Sequence, residues 1–288
     1  VGILRPVLRR HAPPMVLGEA LTQALKQALP DWSAIDIAEY LSAGSEAFFS
    51  GLSVESHVQA AQLLHKAQQN APSHVALEVS VNQEHAITSL LIATEDRKAL
   101  FAYISGALTS IGANIVNAKV FTLKNGMAIE QFFVQDLQGN AYDHPDRIAR
   151  LESMLGSQAG ETAFPPAKIA RRASRLDVFK IPPRVIIENN VSSHHTVVEV
   201  NGRDRPGFLY TITKTLAELE LGISTAHISS YGLRAVDVFY VKDKFGMKVA
   251  SESKLKQIRE HLIAALKQDG KEKESVAVTV PEKRKQTA

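Results

Sequence analysis

The chain repeats itself. Thr88-Ser-Leu-Leu-Ile-Ala-Thr-Glu-Asp96-Arg97 recurs 108 positions later as Thr196-Val-Val-Glu-Val-Asn-Gly-Arg-Asp204-Arg205. The register then persists: Leu100 meets Phe208, Phe101 meets Leu209, Ile104 meets Ile212, Leu108 meets Leu216, Ile115 meets Ile223 and Ala118 meets Ala226. Further on the offset becomes 107, and Ala128, Glu130, Phe132, Val134, Asp136 and Gly139 meet Ala235, Asp237, Phe239, Val241, Asp243 and Gly246. A unit of about 70 residues is too long for one coil of a solenoid, so the chain holds two copies of one domain. Whatever fold it adopts is built twice.

The second copy shows the order of elements. Thr196 to Val200 alternates and is rich in β-branched residues, which predicts a strand. Pro206-Gly207 opens a segment with Leu209, Ile212, Leu216 and Leu219 at helical spacing, closed by Gly222. Ile223 to Ser230 and Ala235 to Lys242 read as strands around Tyr231-Gly232, where the first copy has Lys124-Asn125-Gly126, a hairpin signal. Leu255, Ile258, Leu262, Ile263 and Leu266 mark a second helix, and Ser275 to Val280 a last strand. The order βαββαβ predicts an α+β fold made of two ferredoxin-like units. In the first copy the second helix falls at Pro145 to Leu155, with the closing strand placed at Arg184 to Glu188 and an extra strand at Val75 to Val81.

The expected division is a helical region over 1–73, a first domain over 74–155, a connector over 156–190, a second domain over 191–281 and a basic tail over 282–288. Val16, Leu17, Ala20, Leu21, Ala24, Leu25, Ala28 and Leu29 form one helical face after Pro13-Pro14, and further helices are expected around Ile35 to Leu41 and from Ser53 to Gln69. These helices are few, short and begin at Val1 without a methionine, so the chain is expected to be the end of a larger catalytic or helical part. The connector holds Pro165-Pro166 and Pro182-Pro183.

Composition removes much chemistry. Zero cysteines exclude disulfides, thiolate metal sites and cysteine nucleophiles, and fit a reducing cytoplasm. No run reaches the ~18 apolar residues that would span a bilayer. An excess of 33 basic over 30 acidic residues is only +3, and the basic residues gather in the connector and tail, where solvated charge explains them without nucleic acid.

The segment Asn201-Gly-Arg-Asp204-Arg205-Pro206-Gly207-Phe208-Leu209 lies between strand and helix. A glycine there admits close approach to the backbone, the amides of a first helical turn favour a carboxylate, and Asp204 suits an amino group. The same residues also read as a helix cap with proline at the first position.

Aspartate, arginine, proline, glycine and an apolar pair between strand and helix resemble the ACT domain, a family of small-molecule sensors that often bind amino acids. Two such copies, with Ala226-His227-Ile-Ser-Ser-Tyr-Gly232 and Arg234-Ala-Val-Asp237-Val-Phe-Tyr-Val-Lys-Asp243 in the second and Phe179-Lys-Ile-Pro-Pro-Arg-Val185 before it, resemble the C-terminal half of bifunctional uridylyltransferase/uridylyl-removing enzymes, which modify the nitrogen signalling protein P-II. The resemblance covers 74 to 268 and extends weakly to the helices around His57. It implies a regulatory amino-acid sensor with glutamine as ligand, P-II as partner and magnesium as metal of the larger enzyme, and pairing of the copies within the chain or in a homodimer. In ACT pairs the ligand lies between the strand-helix loop of one copy and the second strand of the other. Here that combines Asn201, Asp204, Arg205, Pro206, Gly207, Phe208 and Leu209 with Asn114 and Ile115. A second, weaker combination is Asp96, Arg97, Lys98, Ala99 and Leu100 with Gly222 and Ile223. Lys98 and Ala99 stand where the family favours proline and glycine, and Leu233 replaces a usual glutamate.

Catalytic motifs of that family are missing: the chain has no Asp-x-Asp pair for metal and nucleotide phosphates and no His-Asp dipeptide for a hydrolase cluster. His57, His65, His194 and His195 lack carboxylates at metal-ligand spacing and are expected to face solvent or cap helices, and Asp143-His144-Pro145-Asp146 reads as a helix start. No catalytic residue, metal site or cofactor is therefore expected in this chain. Two other readings share the topology. An RNA-binding module would use the aromatics of Glu130-Gln-Phe-Phe-Val134 and Asp237-Val-Phe-Tyr-Val241, but their flanking residues are acidic. A ligand-free dimerisation scaffold would need no site at all.

Overall fold

Four helices come first in the computed structural model, which describes residues 14–70, 75–157 and 181–276. They are α1 (Pro14–Ala28), α2 (Ala34–Ala43), α3 (Glu46–Gly51) and α4 (Val54–Gln69). Serines fix three of their starts. Ser33 and Asp36 form a reciprocal capping box on α2, while Ser45 and Ser53 accept from the amides of Phe48 and Ser56. His57, expected at the surface or in a cap, is instead fully buried: its Nδ1 lies 2.9 Å from the Tyr40 hydroxyl and its Nε2 3.4 Å from the Phe49 carbonyl. Burial pushes the imidazole pKa below its ordinary value, which favours the neutral ring.

The first copy follows as β1 (Ala76–Asn82), β2 (Ile87–Glu95), α5 (Leu100–Ser110), β3 (Asn114–Thr122), β4 (Met127–Gln135) and α6 (Pro145–Ser157). The second is β5 (Arg184–Glu188), β6 (Thr196–Arg203), α7 (Phe208–Glu218), β7 (Gly222–Tyr231), β8 (Arg234–Lys242) and α8 (Glu252–Val276). Each copy has a ferredoxin-like sheet, but its edge strand comes from ahead of the first central strand. Arg184–Glu188 does not close the first copy: it pairs with β6 from Arg184↔Asn201 to Glu188↔Val197. The first copy's edge is β1, paired with β2 across the four-residue turn 83–86. Both segments are antiparallel to their central strand, and a short loop closes at smaller entropic cost than the long connector would. Ser275 and Val276 end α8, and residues 277–280 of the expected last strand lie outside the described residues.

All pairings are antiparallel and the two sheets join into one, in the order β1-β2-β4-β3-β7-β8-β6-β5. The seam is β3 against β7, centred on Lys119 opposite His227, which are themselves equivalent in the repeat. Above it α5 packs on α7, and the equivalent Ser105 and Thr213 hydroxyls meet at 2.9 Å. The copies therefore pair within the chain about a pseudo-twofold axis.

Alternation assigns each face. Leu90, Ile92, Ala128 and Phe132, with Val198, Val200, Ala226 and Phe239, face the layer of α5 to α8. Leu91, Ala93, Phe121 and Ile129 point the other way and bury Leu25, Phe48, Ala60 and Leu64 of the first helices. That sheet face is the partner the helical region needs. In the first copy the helices cover the face opposite α5 to α8, and in both copies the aromatics Phe132 and Phe239 are fully buried on the helix-layer side, away from any RNA.

Candidate functional site

The loop that starts α7 is held from both sides. The Asp204 amide donates to the Leu233 carbonyl at 2.9 Å, tying it to the β7–β8 turn, and the Phe208 amide donates to the Arg205 carbonyl at 3.0 Å. Gly207 precedes the helix with φ +80°, a left-handed conformation that a glycine adopts without strain. Gly207, not Asp204, is the N-cap of α7 and has no side chain to cap it with. The start of a helix is an electropositive end that suits a carboxylate. The Phe208 ring rests against Gly202, where a Cβ would come within 2.6 Å of it, and Arg205 places its guanidinium carbon 5.6 Å from the ring centre.

This loop forms one wall of a cleft between the copies. Asp204, Arg205, Gly207, Phe208 and Leu209 face Thr109, Ala113, Asn114 and Ile115, the end of α5 and the start of β3. The cleft is tight, a cavity of about 10 Å³ with room for a single water, above a floor of Ile228, Ser230, Ala235 and Asp237. The two sequence segments expected to meet do meet, with two exceptions. Pro206 shapes the turn without lining the cleft. Asn201 lies on the opposite sheet face, its side-chain amide donating to Glu199 at 2.7 Å, because Val200 and Gly202 take the alternate positions under α7.

The sequence reading missed the floor. Asp237 is 1% exposed, and neither of its carboxylate oxygens has a hydrogen-bond partner. Burial first, and then the nearby Asp204 carboxylate, push its pKa well above the ordinary 3.8. The Ser229 amide exerts a weaker opposite pull without completing a hydrogen bond. Asp204 is also raised by burial, against smaller opposing contributions from the Ser230 hydroxyl and the Arg205 amide and charge. A signal was present: Asp237 shares the parity of Ala235, Phe239 and Val241, all core residues.

The pseudo-equivalent site differs. Asp96, Arg97, Lys98, Ala99 and Leu100 again lie between strand and helix and meet the second copy at Glu220, just ahead of Gly222 and Ile223 in the chain. Lys98 spans the two copies, its Nζ 4.0 Å from Glu220, which also pairs with Lys244 at 3.2 Å. Asp96 and the fully buried Glu130 repeat the carboxylate pair of the other cleft. Both are raised by burial; at Glu130 the Asp96 charge adds and Arg97 opposes.

Among the described residues no group of three or more histidine or carboxylate side chains is placed to hold a metal such as magnesium, and Asp204 and Asp237 are only two. Nor is any described helix long and apolar enough to cross a membrane.

The ACR family N-terminal ACT domain matches residues 191–269, the second copy. The chain is 42% identical over 253 residues to the bifunctional uridylyltransferase/uridylyl-removing enzyme of Azospirillum brasilense, covering 86% of this chain and 27% of that protein. The enzyme of the same description from Rhodospirillum rubrum is 42% identical over 85% of this chain and 27% of its own length, and that of Gluconobacter oxydans 37% identical over 86% and 26%. The chain therefore spans about a quarter of the curated relatives it matches.

Proposed function

Since the chain belongs to the family of bifunctional uridylyltransferase/uridylyl-removing enzymes and corresponds to a C-terminal, ACT-containing part of about a quarter of their length, we propose that its inter-copy cleft senses a free amino acid, L-glutamine, for the larger enzyme. One observation carries the reading: Asp204, Arg205, Gly207, Phe208 and Leu209 of one copy and Asn114-Ile115 of the other converge on a cleft that sets a helix start beside a carboxylate. The α-carboxylate of the ligand meets the first-turn amides of α7 and its ammonium meets Asp204, while Asn114 and Thr109 stand opposite for a side-chain amide.

In the whole protein, glutamine would favour removal of uridylyl groups from P-II over their addition, by binding one arrangement of the copies more tightly than the other; such coupling is typically about 1–3 kcal/mol. Magnesium would serve the catalytic parts and not this one. Calorimetric titration tests the reading. Saturable heat with L-glutamine, lost in Asp204→Ala and absent with RNA, supports it; no heat with any free amino acid returns the chain to a ligand-free scaffold.

A further inference from the structure

A buried carboxylate with no partner is a burden that a fold sheds unless something uses it. Asp237 is such a group. It forms part of the cleft floor, on the helix-facing side of β8, opposite Val200 of β6 and Ile228 of β7. The charged groups that share the cleft with it are Asp204 and Arg205 from the loop before α7; the end of α5 and the start of β3 contribute Thr109 and Asn114, which are uncharged. Two carboxyl groups thus occupy one poorly hydrated space.

We propose that Asp204 and Asp237 together form the receptor for the ligand's ammonium group, sharing a proton in the free cleft and releasing it to solvent when the cation enters. The inference rests on the amino-acid reading above and adds the residue that selects for a cation. Arg205 is the cation that lines the cleft with them, and it draws on Asp204 while no cation offsets the burial of Asp237, so Asp237 is the one that keeps the proton. An arriving R–NH₃⁺ supplies the counter-charge: the Asp237 O–H bond breaks, its proton leaves to water, and the carboxylate accepts an N–H from the ammonium. The ammonium replaces the positive charge of the departing proton, and the ligand's carboxylate is left to the backbone amides at the start of α7. Burial of both acids in Asp237 and Asp204 agrees with a protonated pair in the empty cleft.

The test is calorimetry of the full chain with L-glutamine at neutral pH, in two buffers of different ionisation enthalpy. Binding should release a fraction of a proton that approaches one per ligand. Asp237→Asn should suppress that release and weaken binding by roughly 10- to 100-fold, the worth of a charge-assisted hydrogen bond. Glutaramate, which is glutamine without its ammonium, should release none. Titration of the Asp237 carboxyl by carbon NMR in the unliganded wild-type chain guards against a variant that fails to fold, and should show a proton held well above the ordinary carboxylate range. Glutamine binding without proton release, or with unchanged affinity in Asp237→Asn, overturns this inference and leaves amino-acid sensing standing. Absence of binding by every free amino acid overturns both.

Discussion

The two clefts are built from the same backbone and filled differently. Each needs two residues in the left-handed region, one ahead of the strand-helix loop's helix and one at the end of the helix it faces. In the Asp204 cleft both are glycines, Gly207 at φ +80° and Gly112 at φ +82°. In the other they are Ala99 at φ +63° and Glu220 at φ +61°. A non-glycine residue in this region is strained by about 1 kcal/mol. The fold therefore tolerates side chains at these points, and glycine is not needed there to form the turn. What differs is the side chains these points carry: in the other cleft Glu220 joins Lys98, whereas at Gly112 an added Cβ would lie 3.2 Å from the Arg147 guanidinium.

The hardest test of this contrast is a pair of bulky substitutions. Gly207→Val should abolish glutamine binding, a loss of at least ~100-fold, and lower stability by about 1–3 kcal/mol, since a β-branched residue resists left-handed backbone. Ala99→Val should carry a similar stability penalty with little change in affinity. Calorimetry and urea unfolding read both, and equal losses of affinity would show that the two clefts are alike.

Next comes the pH dependence. A carboxyl whose folded pKa is raised binds more protons folded than unfolded, so its contribution to stability is intact below the unfolded value and lost as pH climbs toward the folded one. Asp237 and Glu130 should both make the unliganded protein less stable as pH rises from about 3.8 and 4.5, their ordinary values. Asp237→Asn and Glu130→Gln should each flatten that slope in unfolding curves. Saturating glutamine should flatten it only where Asp237 is present, and an equal effect through Glu130 would show that both clefts bind.

A smaller effect is expected from relieving strain. Ala99→Gly and Glu220→Gly should raise stability by about 0.5–1 kcal/mol each, and Gly112→Ala should lower it by about 1 kcal/mol. Thermal unfolding checks the signs. The smallest change should come from Lys98→Ala: the pair with Glu220 is 67% and 49% exposed, and its loss should cost about 0.5 kcal/mol or less in the same assay.

Much of this could be read in the chain beforehand, and the gaps have physical causes. The constant offset between Leu100 and Phe208 or Ala118 and Ala226 announced the duplication, and the loop chemistry from Asp204 to Leu209 marked one wall of the cleft. Apolar alternation identifies strands but not their neighbours, so Arg184–Glu188 was recognised as a strand and assigned to the wrong copy. Parity would have corrected Asn201, because Gly202 and Val200 face α7 and their odd-numbered neighbour cannot. Parity also singles out Asp237 and Glu130 as charges on a core face; matching them to each other as repeat partners hid the oddity of both. The burial of His57 depends on Tyr40 and Phe49 arriving from other helices, which no local pattern records.

The seam between β3 and β7 has a further consequence. Were these domains identical chains meeting about a true axis, every change that opened one cleft would open its twin, and the assembly would carry two receptors or none. Covalent linkage lifts that constraint. Once Lys119 and His227, opposite one another at the centre, descend from one residue but no longer share one gene position, each half can specialise while the other keeps the joint intact. A single receptor per polypeptide becomes possible, and if only the Asp204 cleft binds, occupancy of the isolated chain should rise with ligand as a simple hyperbola, whereas binding in both clefts should give a biphasic or steeper curve.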